Sequence, residues 1–123
     1  MKSIFAALFL LFAVSVAFAA DQPSISGKWQ VHLSISGTEN DQTCTFTQKR
    51  TELTGTCNSE QTGTVDLTGK VDGKKITWSY QSEYNGTPLT VNYEGTLDGG
   101  KISGTVTVPE FGAEGEFTAT QAK

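Results

Sequence analysis

The sequence predicts an all-β fold, an eight-stranded antiparallel up-and-down meander closed into a small barrel. Three observations lead there. A five-residue pattern of apolar, polar, Gly, polar, apolar residues opens at Ile25-Ser26-Gly27-Lys28-Trp29 and returns at Leu53–Cys57, Leu67–Val71, Tyr93–Leu97 and Ile102–Val106, and more loosely at Ala113–Phe117. Apolar and polar residues alternate with period two, the signature of strands with one buried face. Short turn signals separate these runs and set their registers. A β-sandwich built from the same strands is the alternative.

The glycine of each copy shares the inward face with its two apolar neighbours, because positions i, i+2 and i+4 lie on one side of a pleated strand. A bare backbone there lets the strand coil sharply and lets a neighbour approach, which small closed sheets need at their corners.

Residues 1–19 read as a cleaved signal peptide. Lys2 supplies the positive start, Ile4 to Phe18 is an apolar run, and Ala17-Phe18-Ala19 is an A-x-A cleavage signal. The run is short for a membrane span. Residues 20–123 then form one barrel domain, secreted to the extracellular space or the periplasm. Lys2 is one of nine Lys and Arg residues, so eight remain against thirteen Asp and Glu, a net charge near −5. That balance argues against nucleic acid and anionic membranes, which ask for a basic face.

The first strand, Ile25 to Ile35, turns Gly27, Trp29, Val31, Leu33 and Ile35 inward and Lys28, Gln30, His32 and Ser34 outward. A polar connection over residues 36–41 leads to strand two, Thr43 to Gln48, with Cys44 and Phe46 inward. Strand three is Leu53 to Cys57, and residues 58–64 form a longer loop. With Arg50-Thr51 at the hairpin tip, Cys44 falls opposite Cys57. Facing Cα atoms in such a pair lie about 4.5 to 5.5 Å apart, a span a disulfide bridges, and two cysteines in an exported chain favour that pairing.

Strand four, Val65 to Val71, joins strand five, Lys75 to Glu83, through the Asp72-Gly73 turn, which sets Gly69 against Trp78. Asn85-Gly86 is a type I′ signal. It pairs Trp78 with Tyr93 and Tyr80 with Val91 and places strand six at Pro88 to Leu97. Gly99-Gly100 pairs Tyr93 with Val106 and leads to strand seven, Lys101 to Val108. Strand eight, Ala113 to Thr120, buries Gly115 and Phe117. A one-residue slip at any hairpin would throw a buried set outward, and three hairpins agree. Closing strand one onto strand eight removes both sheet edges and is expected to bring Trp29 near Phe117.

The Gly27-Lys28-Trp29 start of an eight-stranded meander resembles the calycin group: lipocalins, fatty-acid-binding proteins and avidins. Leu53-Thr54-Gly55-Thr56 and the short hairpins are most similar to the avidin end of that group. With its end at Gly115-Glu116-Phe117-Thr118-Ala119-Thr120, the chain also resembles small secreted bacterial β-domains of unassigned function that start in Gly-Thr-Trp and end in Gly-Glu-Gly-aromatic-Thr-Ala-Thr. Against an avidin-like role, only Trp29 and Trp78 are present, so a tryptophan cage for biotin is absent and no biotin-binding residue is assigned.

The inventory does not favour an enzyme. His32 lies on an outward face with no nucleophile paired to it, and Glu110, Glu114 and Glu116 read as a solvated acidic face rather than a carboxylate pair in a cleft. No zinc spacing, calcium loop or phosphate loop occurs, so no metal and no cofactor is expected. The expected role is a binding module that holds a small apolar or aromatic ligand inside the barrel, with Trp29, Trp78, Tyr80, Tyr93 and Phe117 as candidate ligand-binding residues. The alternative is a structural or interaction domain with a filled core, acting through its outer surface and able to oligomerise.

Overall fold

A computed structural model describes residues 24–60 and 63–122. The segment read as a signal peptide lies outside the described residues. The chain forms eight antiparallel strands: β1 (Gly27–Ile35), β2 (Thr38–Lys49), β3 (Glu52–Ser59), β4 (Gly63–Asp72), β5 (Lys75–Tyr84), β6 (Thr87–Asp98), β7 (Lys101–Val108) and β8 (Ala113–Gln121). Each strand pairs with the next in sequence, and β1 pairs with β8 to close the barrel. The sandwich alternative is thereby excluded. Pro109–Phe111 forms a single 3-10 turn before β8.

The three hairpin registers read from the turns are those of the fold. Gly69 faces Trp78, Trp78 faces Tyr93, Tyr80 faces Val91, and Tyr93 faces Val106. Cys44 faces Cys57 across β2 and β3 with Cα atoms 4.0 Å apart, and the two are bridged. Asn85 and Gly86 both have positive φ, 52° and 82°, as a type I′ turn requires. Apart from Gly27, which meets only the Gln121 side chain, the glycines of the recurring motif stand where neighbouring backbones close in. A Cβ on Gly69 would collide with the Thr77 carbonyl and lie 2.8 Å from the Trp78 Cβ, and one on Gly104 would collide with the Glu94 carbonyl.

Three readings need correction. The stretch over residues 58–64 is not a long loop: β3 runs to Ser59 and β4 starts at Gly63, because the ladder continues through polar residues, with Asn58 opposite Thr64 and Ser59 opposite Gly63. The polar connection over residues 36–41 is mostly strand, because Ser36 and Gly37 alone make the turn, with φ of 50° and 81°. Polar residues persist there because one face of the strand meets water and the other lies near the open end, where burial is incomplete. The closing register also differs. Leu33, not Trp29, faces Phe117, while Trp29 faces Gln121, so the ring that meets Trp29 is Phe46, with centroids 6.3 Å apart.

The strands alternate in direction, so the barrel has two distinct ends. The lower end gathers the start of β1 and the β2–β3, β4–β5 and β6–β7 turns. The upper end gathers the β1–β2 and β5–β6 turns, the β3–β4 connection and the 3-10 turn. Among the described residues, no helix is long and apolar enough to cross a membrane.

Candidate functional site

The middle of the barrel is occupied by aromatic rings. Trp78 stacks on Tyr93, with centroids 4.7 Å apart and planes 12° from parallel. Phe46 and Phe117 meet Trp78 edge-on at 4.9 and 5.2 Å, and Phe117 also meets Tyr93 at 5.1 Å. Such offset and T-shaped contacts suit the ring quadrupoles and add to area burial. The fold thus brings Trp78, Tyr80, Tyr93 and Phe117 together. It places Trp29 apart, at the lower end, where its indole N–H donates to the Ile25 carbonyl at 2.9 Å.

Above this floor sits a buried polar group that the sequence reading did not single out. Gln42 points inward from β2. Its Nε2 donates to the Tyr80 hydroxyl at 3.1 Å, and its Oε1 accepts from the Tyr93 hydroxyl at 3.0 Å. The two hydroxyls lie 3.0 Å apart. Oε1 is also 3.6 Å from Sγ of Cys44, a disulfide sulfur with no proton to give. Burial, and secondarily Tyr80, pushes the Tyr93 hydroxyl well above its usual range, so it stays protonated. The signal was present: the inward parity of Cys44 and Phe46, continued two residues back toward the Ser36-Gly37 turn, puts Gln42 on the same face.

Among the described residues, one buried side-chain donor has no acceptor. Trp78 Nε1 is fully buried and without a hydrogen-bond partner. An unmet buried donor costs about 1–3 kcal/mol, and such groups in folded proteins call for an explanation.

The rim of the upper end is aromatic and acidic. Tyr84 and Phe111 are 62% and 50% exposed and meet edge-to-face at 6.2 Å. Glu110 holds the 3-10 turn in place: its carboxylate accepts from the Thr90 backbone N–H and hydroxyl, both at 2.9 Å. Those bonds, the backbone one foremost, hold its carboxyl below the ordinary value. On the outer wall below the rim, His32 is gripped from both sides. Its Nδ1 lies 2.6 Å from Asp41 and its Nε2 2.9 Å from Glu39. The Asp41 contact, then that to Glu39, raises the imidazole above its ordinary value despite free exposure to solvent. A hollow of about 650 Å³ on this outer face is lined in part by His32, Glu39, Asp41, Thr43, Asn58 and Glu60. Among the described residues, no group of three or more His, Cys, Asp or Glu side chains is arranged to hold a metal ion.

Fold and interior together define a closed, eight-stranded up-and-down β-barrel with an aromatic core and one polar interior cluster, consistent with a calycin-like architecture. No family model and no curated protein matches the sequence.

Proposed function

We propose that this protein is an exported, non-enzymatic, calycin-like binding module that takes a small apolar or aromatic molecule into the upper end of its barrel. The observation that carries the reading is the unpartnered Trp78 N–H, a donor held in an aromatic enclosure with Tyr80, Tyr93 and Gln42 close by. A planar ligand with a hydrogen-bond acceptor would gain from both features, since aromatic faces bind it and a preset donor fixes its orientation. In this reading Tyr93 and Phe117, whose rings meet Trp78 at 4.7 and 5.2 Å, would contact the ligand, and Leu89, inward near the top of β6, would stand at the entrance. Trp29 has no part in it, because its N–H is already engaged at the lower end.

The test uses a neutral fluorescent probe, N-phenyl-1-naphthylamine, titrated into the purified protein, with native mass spectrometry of protein recovered from its own source. Saturable 1:1 enhancement is expected, with quenching of Trp78 emission, and Leu89→Trp should abolish it by filling the entrance. A linear, non-saturating response together with a bare protein mass would sink the reading.

A further inference from the structure

The charges on the outer wall are sorted by height. Every described lysine and arginine belongs to the lower half. Lys28 stands at the start of β1, and Lys49 and Arg50 stand at the β2–β3 turn. Lys70 is low on β4, Lys74 and Lys75 lie at the β4–β5 turn, and Lys101 opens β7. The acids of the lower half sit beside bases: Glu52 faces Lys70, Asp72 faces Lys75, Asp98 faces Lys101, and Lys75 reaches Glu94 at 3.1 Å. These acids are outnumbered, so the lower end is net positive.

The upper half has no described lysine or arginine. Glu39 and Asp41 flank His32, while Glu60 and Glu83 stand at the strand ends and Asp66 on upper β4. Glu110, Glu114 and Glu116 cluster around the start of β8. Beside them stand the half-exposed rings of Tyr84 and Phe111.

Strands of this length, at about 3.3 Å per residue and tilted by roughly 40°, separate the two ends by about 20–25 Å. The Debye length at physiological salt is about 8 Å. Each end therefore presents its own sign to a neighbour, although the whole chain is negative.

We propose that copies of this protein associate head to tail, with the acidic upper end of one barrel seated on the basic lower end of the next. The occupant is a second copy because the molecule carries both complementary surfaces. The rim offers aromatic faces on which a lysine or arginine of the lower turns can rest, a contact that strengthens as water is excluded. A heterologous contact between opposite ends of a rod does not close on itself, so it builds linear chains rather than a two-fold dimer.

Sedimentation velocity of the disulfide-intact protein tests this from about 5 to 500 µM, in 20 and 500 mM NaCl. Average mass is expected to climb with concentration at low salt and to fall to the monomer at high salt. An upper-end variant (Glu60→Gln, Glu83→Gln, Glu114→Gln) and a lower-end variant (Lys49→Gln, Arg50→Gln, Lys74→Gln) should each associate at least 10-fold more weakly. Their equimolar mixture should recover a 1:1 dimer and nothing longer, since one native contact remains. Unchanged near-ultraviolet circular dichroism would show that both variants fold. A protein that stays monomeric at 500 µM in low salt overturns the proposal. So does association indifferent to salt, or a wild-type monomer whose upper end instead captures a fluorescent oligolysine peptide.

Discussion

The two ends of this barrel are built from the same repeating strands and are finished in different ways. At the lower end the cap is backbone and dense packing. Val71 N–H donates to the Thr51 carbonyl at 2.9 Å, and Leu97 N–H donates to the Lys74 carbonyl at 2.7 Å, so the lower turns are tied to the strands beside them. Ile25 seals the opening, its N–H held by Gln48 and its carbonyl by Trp29. Val71, Ile76 and Ile102 beneath the floor are wholly inaccessible to solvent. At the upper end side chains make most of the ties: Glu110 on Thr90, and Gln42 with two tyrosines, beside one backbone bond from Gly112 N–H to the Pro109 carbonyl. Leu89 and Val91 there keep 8% and 7% of their surface in water. Packing holds the lower end in one arrangement. The upper end is held by polar side chains and is less completely buried, and such weakly packed regions open first.

This contrast can be broken most directly with a matched pair of truncations. Ile102→Ala is expected to lose about 2–5 kcal/mol, because its fully enclosed site cannot collapse around the void. Leu89→Ala should lose less than half as much, since water and rim side chains fill its place. Chemical denaturation of both decides it, and equal losses would mean the ends are packed alike.

Next in size is the staple. Cys44→Ser with Cys57→Ser should lower stability by about 3 kcal/mol in the chain-entropy picture of a loop this short, read as a drop in the denaturation midpoint against the oxidised protein. The partly exposed upper half, where Gln42 touches Cys44, should lose amide-exchange protection first.

Gln42→Leu comes third, at about 1–3 kcal/mol, because it leaves the buried Tyr80 and Tyr93 hydroxyls with only each other. Adding Tyr80→Phe and Tyr93→Phe should restore much of that loss by removing the unmet groups. If the triple variant is no more stable than the single, the polar cluster does not hold the upper interior together.

The smallest effect concerns pH. His32 has a folded-state pKa above its unfolded value, so its contribution is complete below the unfolded value near 6.5 and is lost as pH rises through the higher, folded one. Nuclear magnetic resonance titration should place the His32 midpoint above the ordinary value, and Asp41→Asn should lower it more than Glu39→Gln. Glu110 has the opposite sign. Its contribution is present above the ordinary carboxylate value and is lost as pH falls through the depressed one, so Glu110→Gln should flatten the acid limb of the melting curve.

Much of this architecture was legible because period-two alternation and tight turns are local. Asn85-Gly86 and Gly99-Gly100 set their pairings without reference to the rest of the molecule, and the cysteine pairing follows from the β2–β3 tip in the same way. Most of what stayed hidden locally lay in the stretch from Ser36 to Gln42. Its polar composition resembles a loop, and Ser36-Gly37 is a weaker turn signal than Asn-Gly. The grip on His32 and the inward Gln42 were lost together with that strand.

The chain's own order thus determined eight strands, which side of each faces in, and how neighbours along the sequence meet, because each choice involves residues only a few positions apart. Tertiary structure alone decided the offset at which β8 closes onto β1, which sends Trp29 down and Phe117 to the floor. It alone placed Gln42 against tyrosines 38 and 51 positions away and sorted positive from negative charge along the barrel axis. Those outcomes depend on the stagger of a sheet closed through its first and last strands, a quantity that no single hairpin contains.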